Sequence, residues 1–155
     1  MTILQALNLI AECSSQPKDR NMECDKKLLS CMYINPTAVV GYHASDIILN
    51  VHSDASCLSA GQGRSRAGRH SFLGSLPKEG TPIKLNGNIA ITCAILKLVA
   101  ASAAEAELGA LFLNVQEARI LRLILYEMGH PQPQTPVHVD NTTCVGIVNN
   151  TIKRQ

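Results

Sequence analysis

The segment Ile47-Ile-Leu-Asn-Val-His-Ser-Asp54 is the strongest indication of fold class in this chain. Its apolar and β-branched residues lie on both faces of an extended backbone, as is typical of a central strand that other elements cover on each side. Asp54 would end this strand, so a carboxylate is expected at the carboxyl edge of a sheet. The segment therefore predicts a sheet with elements packed against both of its faces.

Two more strands are predicted after this segment. A loop leads to the segment His70–Leu76, and the turn-rich residues 77–87 lead to Ile89–Ile95. The first loop contains three glycines, Gly61, Gly63 and Gly68. Three strands in succession predict an antiparallel meander.

A long amphipathic helix is predicted next. Apolar residues recur there at three- and four-residue spacing, namely Leu108, Leu111, Phe112, Val115, Ala118, Leu121 and Leu125. Ser102 and Glu105 match a capping box, in which a hydroxyl and a carboxylate satisfy backbone N–H groups at the start of a helix. Gly129, followed by Pro131, predicts the end of the helix.

A short strand, Pro136–Asp140, and a final short helix, Thr142–Asn150, complete the pattern. Three strands, a helix, a strand and a helix in this order predict an α/β fold, with a mixed sheet and helices packed on it. We expect this domain to cover residues 46–155, with a boundary near Ser45.

Residues 1–45 are expected to form a helical connector. Apolar spacing predicts short helices at residues 3–12 and 22–31. Asn35-Pro36 then ends the helical pattern and opens an extended stretch at residues 38–42. This stretch is either a strand or a chain that runs to the main domain.

Composition and charge exclude several classes of protein. The 155 residues are 46% hydrophobic and 17% charged, which indicates a packed chain of one domain, or of one domain with a short leading segment. The six cysteines form no C-x-x-C pair and no zinc-finger spacing, which favours reduced thiols in an intracellular protein. The chain starts without the basic region of a secretory signal and has no apolar run long enough to span a bilayer, so no membrane partner is expected.

Three acidic residues are candidates for a metal site. Asp54 and Asp140 each terminate an apolar strand, and ligands gather at the carboxyl ends of strands in open α/β sheets. Glu107 lies beside the buried stripe of the long helix, whereas Glu105 is engaged by the cap. Converging carboxylates repel one another unless protons or cations lie between them, and their hard oxygens select Mg²⁺ or Mn²⁺. Spacing alone leaves open the alternative of three solvated acids at element ends.

Four segments carry a specific set of motifs in a fixed order. They are His52-Ser-Asp-Ala-Ser56, Ser65-Arg-Ala-Gly68, Ser102-Ala-Ala-Glu-Ala-Glu-Leu108 and Val139-Asp-Asn-Thr142. Together they resemble the ribonuclease H domain of copia-type retrotransposon polyproteins. In that family the aspartate of the first motif ends strand one. The second glutamate of the Glu-Ala-Glu run in the third motif lies on the following helix, and the aspartate of the fourth motif ends strand four. These three acidic residues correspond to Asp54, Glu107 and Asp140.

The resemblance implies a ribonuclease-H-like mixed sheet and metal-dependent hydrolysis of the RNA strand of an RNA/DNA hybrid. Asp54, Glu107 and Asp140 would be both the catalytic residues and the ligands of paired Mg²⁺ or Mn²⁺ ions. The implied partners are the hybrid and an upstream reverse transcriptase domain in a parent polyprotein. Residues 1–45 would resemble the segment that follows the polymerase, and the location would be intracellular, in the cytoplasm or the nucleus.

The end of the chain departs from that family. The family continues past the final short helix to a fifth strand and a fourth acidic residue, whereas the sequence ends at Gln155. We therefore expect a domain that is incomplete at its C-terminus and lacks the last strand. A catalytically inactive retrotransposon remnant that at most binds nucleic acid is the alternative hypothesis.

Basic residues near these motifs have less specific interpretations. Arg64, Arg66 and Arg69 cluster beside the predicted turn between strands one and two. With the resemblance, contact with duplex phosphates is one hypothesis for them, and a solvated hairpin is the alternative. His138 precedes Asp140 by two residues and is interpreted as a packing residue rather than a metal ligand, since a histidine–carboxylate site needs a second histidine close by. His52 shares a strand face with Asp54 and is interpreted as a group that tunes this carboxylate.

Overall fold

The residues that the computed structural model describes are 2–14, 16, 18–76, 78, 81 and 83–151. Contacts within the chain divide it into two compact units, residues 1–40 and 41–155. The division lies a few residues before the boundary near Ser45 that the sequence suggested. The first unit contains two helices, and the second contains the sheet and two further helices.

The first unit is a pair of helices, α1 (Thr2–Cys13) and α2 (Asp19–Ile34). Both predicted helices are confirmed, and each extends beyond its predicted limits. A groove between them has a largely apolar lining that includes Ile3, Ala6, Leu9, Ile10 and Leu28. Residues 38–42 form no strand, so the second of the two alternatives for this stretch, a connecting chain, is correct.

The second unit is a four-stranded mixed sheet with two helices. Its elements are β1 (Ile48–Ala60), β2 (Arg64–Gly74), β3 (Asn88–Ile95), α3 (Ala103–Glu127), β4 (Val137–His138) and α4 (Thr142–Val148). The strand order across the sheet is β3-β2-β1-β4. β1 pairs antiparallel with β2, β2 pairs antiparallel with β3, and β1 pairs in parallel with β4. The predicted α/β class, with an antiparallel meander and a parallel fourth strand, is confirmed.

β1 differs most from its prediction. It is a 13-residue strand that continues past Asp54 to Ala60, where a single 3-10 turn at Gly61–Gly63 leads into β2. Asp54 therefore lies within the strand and is paired with Gly68 of β2. The prediction that Asp54 ends the strand is wrong, and so is the assignment of Gly68 to a loop. Backbone pairing between the two strands sustains extended structure here although the side chains lack an apolar alternation.

The ends of α3 agree with their predictions. Ser102 accepts a hydrogen bond from the backbone N–H of Glu105 at 3.2 Å, and the Glu105 carboxylate accepts one from the N–H of Ala101 at 2.8 Å. At the other end Gly129 adopts a φ of 86°, and its N–H donates to the carbonyl of Tyr126 at 2.9 Å. Glycine is favoured there because a side chain disfavours positive φ.

The core lies between α3 and one face of the sheet. One buried cluster joins the helix to β1 through Leu49, Val51, Ala118 and Leu125. A second cluster, near the start of the helix, consists of Ala67, Leu96 and Ala110. Small residues in this second cluster let the helix backbone approach the sheet closely. The first turns of α3 are thereby held beside β1.

Candidate metal centre

Asp54 lies within β1, and Asp140 lies two residues after the end of the neighbouring parallel strand β4, which is shorter than the predicted strand Pro136–Asp140. The pairing of β1 with β4 extends to His52 and His138. Asp54 and Asp140 each lie two residues farther along, and both are exposed. Because parallel strands advance side by side at a similar rise per residue, the two carboxylates are brought to the same region of the sheet.

Glu107 approaches this region from α3. Its Oε1 accepts a hydrogen bond from the backbone N–H of Ala55 at 3.1 Å, and the residue is only 5% exposed. Its Oε2 is buried and has no hydrogen-bond partner among the residues that the structure describes. A buried carboxylate oxygen without a partner costs free energy unless a proton or a cation reaches it.

The structure brings the three acids together. One carboxylate oxygen from each of Asp54, Glu107 and Asp140 lies within 4.8 Å of the others. Burial raises the pKa of Glu107, the hydrogen bond from Ala55 opposes this shift, and the negative charges of Asp54 and Asp140 raise the pKa further. Carboxylate oxygens are the ligands that hard divalent cations prefer, and a cation would offset the repulsion between them. This acidic cluster could therefore hold a metal ion.

Asn114 supports the site, although the sequence analysis did not single it out. It lies on α3, is 3% exposed, and donates hydrogen bonds at 2.9 Å to Ser53 Oγ and to the carbonyl of Gly68. The helix is thus tied to the residue before Asp54 and to the residue paired with it. An asparagine at the helical spacing of the buried alanines was the available indication, because a buried amide needs hydrogen-bond partners.

The chain after Asp140 is fixed by the start of α4. The side chain of Asn141 accepts a hydrogen bond from the backbone N–H of Cys144 at 3.0 Å, which caps this short helix. Cys144 is fully buried. Burial raises the pKa of its thiol, and the negative charge of Glu107 raises it further. A protonated, buried thiol is a packing group here and not a nucleophile.

The histidines near the acids form a row of rings across three strands. The ring of His52 on β1 lies 4.8 Å from that of His138 and 6.4 Å from that of His70, and the His70 ring stacks on Phe72 at 5.2 Å between centroids. Burial lowers the pKa of all three imidazoles. Among groups of three or more potential metal ligands in the described residues, only the three acids lie close enough to share an ion. The histidines therefore pack against one another beside the acidic cluster.

The three arginines of the predicted basic cluster are divided between surface and interior. All lie on β2, where Arg64 is exposed while Arg66 and Arg69 are 2% and 5% exposed. A guanidinium nitrogen of Arg69 lies 3.6 Å from the carboxylate of Glu117 on α3. Burial leaves little of the Arg66 and Arg69 side chains at the surface, so the structure lends no support to phosphate contact by these two residues. Arg64 keeps a position that a phosphate can reach.

Comparisons with known proteins provide no family for this chain. No protein-family model, no curated protein and no solved structure matches it. Within the described ranges of the chain, no helix combines the length and apolar character needed to cross a membrane. The acidic cluster and its surroundings are therefore the basis for a functional assignment.

Proposed function

We propose that this chain is a ribonuclease-H-like domain of a copia-type retrotransposon polyprotein and that it hydrolyses the RNA strand of an RNA/DNA hybrid. The observation that carries the proposal is the convergence of Asp54, Glu107 and Asp140, whose oxygens lie within 4.8 Å of one another. They come from β1, from the start of α3 and from the residues after β4, in agreement with the order of the sequence motifs. The parallel pairing of β1 and β4 at the edge of the sheet adds support.

The donor set fits Mg²⁺ or Mn²⁺. The described cluster consists of carboxylates alone, and oxygen is the ligand type that these ions prefer. The Oε2 of Glu107 is buried and has no hydrogen-bond partner among the described residues, so it is available as a ligand atom. Asp54, Glu107 and Asp140 would hold the pair of ions that the resemblance implies. Bound ions of this type supply charge neutralisation at a scissile phosphate and lower the pKa of water.

Protein groups around the cluster hold Glu107 and the helix that carries it in place. Asp54 and Asp140 are exposed and can meet a duplex, whereas Glu107 is buried beside them. The backbone N–H of Ala55 donates a hydrogen bond to one oxygen of Glu107. Asn114 links α3 to β1 and β2 through its hydrogen bonds to Ser53 and Gly68, which adjoin Asp54. Groups held in this way need little rearrangement when charge develops on a phosphate, which is how a site lowers a reaction barrier.

A duplex fits the composition of the chain better than a single strand does. Aromatic residues make up 3% of the sequence, so few rings are available to stack on unpaired bases. Duplexes that contain RNA are recognised mainly through their shape, sugar hydroxyls and phosphates. Arg64, which is exposed at the start of β2, would contribute one phosphate contact. The proposed setting is intracellular, with a reverse transcriptase domain as the source of the hybrid.

Cleavage of a labelled RNA/DNA hybrid by the purified chain tests the proposal. We expect the RNA strand to be cut in the presence of Mg²⁺ or Mn²⁺, and we expect RNA/RNA and DNA/DNA duplexes to remain intact. Asp54→Asn should abolish cleavage. Asp46→Asn should retain it, because Asp46 is a carboxylate outside the acidic cluster. A folded chain that binds Mn²⁺ but leaves the hybrid intact would contradict the proposal and favour the alternative, an inactive remnant that at most binds nucleic acid.

A further inference from the structure

β3 forms an edge of the sheet and lacks the residues that usually keep an edge strand apart from other chains. It pairs with β2 on one side, and the described part of the chain provides no strand for its other side. Its sequence, Asn88-Ile-Ala-Ile-Thr-Cys-Ala-Ile95, contains no charged residue, no proline and no glycine. Edge strands are normally protected by such residues, because their outer backbone groups are a template for another strand.

The side chains of β3 make this edge apolar as well. Ile89 and Ile91 are 42% and 45% exposed, and the alternation of a strand places them on the same face. The opposite face carries the small residues Ala90, Thr92 and Ala94. At the start of the strand the hydroxyl of Tyr42 donates to the carbonyl of Asn88 at 3.0 Å, so any added pairing would begin after Asn88.

The approach to the edge is open on the helical side of the sheet. α3 packs over β1 and β2, and it leaves a groove between its flank and β3. Leu113 and Gln116 form the helical wall of that groove, and Thr92 and Ala94 form its strand side. Leu113 is 38% exposed. A strand added to β3 would therefore meet no overhanging helix.

We infer that β3 is a self-association site, at which a second copy of this chain adds its own β3 in antiparallel pairing. The outer edge of a strand binds another strand, because only an extended backbone matches its pattern of hydrogen-bond donors and acceptors. Two identical strands pair antiparallel about a two-fold axis, which makes the contact closed and symmetric. With the axis at Thr92, the middle of residues 89–95, Ile91 lies opposite Cys93 of the second copy and Ile89 lies opposite Ile95 on one face, and Ala90, Thr92 and Ala94 of the two copies lie together on the other face.

The composition of β3 favours a second copy over an unrelated strand. Directly opposed residues interact across an antiparallel pair, and like charges at such positions are destabilising. A strand without charge has nothing to repel its own copy, whereas recognition of a different partner normally uses complementary charges. A contact made by one strand from each copy is small, so the dimer should be weak, with a dissociation constant on the order of 10 to 100 μM.

Sedimentation velocity of the full chain over a concentration series tests this inference. The wild-type chain should pass from monomer to dimer, and Ile91→Lys should raise the midpoint concentration about tenfold or more, because it removes two apolar contacts and sets two charges near each other. Ile147→Lys is the matched control, since Ile147 is 47% exposed on α4 and lies away from β3. Its midpoint should equal that of the wild type.

Two outcomes would overturn the inference. One is a wild-type chain that stays monomeric up to several hundred micromolar, far above the range expected for such a contact. The other is an equal shift for Ile91→Lys and Ile147→Lys. If circular dichroism shows that Ile91→Lys does not fold, Ile89→Lys replaces it with the same expectation. Hydrogen exchange at high and low protein concentration gives a second readout, in which residues 89–95 should gain protection and a gain confined to other segments would contradict β3 pairing.

Discussion

Replacing Asn114 with alanine should lower the unfolding free energy of the second unit by about 3 kcal/mol. The Asn114 side chain is 3% exposed and donates two hydrogen bonds of 2.9 Å, to Ser53 Oγ and to the carbonyl of Gly68. Each bond contributes about 1 kcal/mol, and the truncation also leaves a small cavity that costs roughly another 1 kcal/mol. Ser53 Oγ would remain buried and the carbonyl of Gly68 partly buried, so water cannot easily replace the lost donor.

Urea unfolding followed by circular dichroism measures this effect. Gln116→Ala is the control, because Gln116 is an exposed residue of the same helix and should change stability by no more than about 0.5 kcal/mol. The double variant Asn114→Ala with Ser53→Ala should show a coupling of about 1 kcal/mol, since the two side chains share a hydrogen bond. A loss below about 1 kcal/mol for Asn114→Ala, together with additive effects in the double variant, would refute the bridging role.

Two other predictions concern the pKa of Glu107 and the end of α3. Because burial raises the pKa of Glu107, the folded chain holds this proton more tightly than the unfolded chain does. Without metal, the unfolding free energy should therefore fall as the pH rises from about 4.5, the ordinary pKa of a glutamate, through the raised pKa of Glu107. Glu107→Gln should remove this dependence of the unfolding free energy on pH. Urea unfolding at a series of pH values, with a chelator present, measures it. An unchanged dependence in the variant would assign the effect to another group. Gly129→Ala should cost about 1 kcal/mol in thermal unfolding, because Gly129 has a φ of 86°; a stability equal to that of wild type would contradict this.

Features that depend on local sequence were predictable. The periodicity of α3, the cap at Ser102 and the glycine at position 129 involve residues within a few positions of one another, and all agree with the structure. The strand order of the meander also follows from sequence, because consecutive strands with short connections pair with their neighbours.

Features that depend on pairing between distant residues were not predictable. The extension of β1 to Ala60 follows from its pairing with β2, which no property of residues 55–60 indicates. Arg69 is 5% exposed and lies 3.6 Å from Glu117 of α3, a contact between residues far apart in the chain. Sequence rules place arginine at the surface, since burying an unpaired charge is costly.

The candidate site was predictable in its members but not in its environment. Asp54, Glu107 and Asp140 follow from the sequence motifs, and the structure brings one carboxylate oxygen of each within 4.8 Å of the others. The burial of Glu107 and the bridge from Asn114 depend on how closely α3 approaches the sheet. The distance between α3 and the sheet depends on small residues of the second core cluster. In that cluster Ala110 of α3 packs against Ala67 of β2, which lies much earlier in the chain.

Calorimetric titration of Mn²⁺ into the wild-type chain and into Asp140→Asn is the most direct test of the acidic cluster as a metal centre. Asp140 is exposed, so its replacement by a side chain of the same size should leave the fold intact. We expect saturable binding by the wild type and an affinity about tenfold or more lower in the variant, since the substitution removes one charged ligand. Equal affinities, or no binding by the folded wild-type chain, would contradict this expectation.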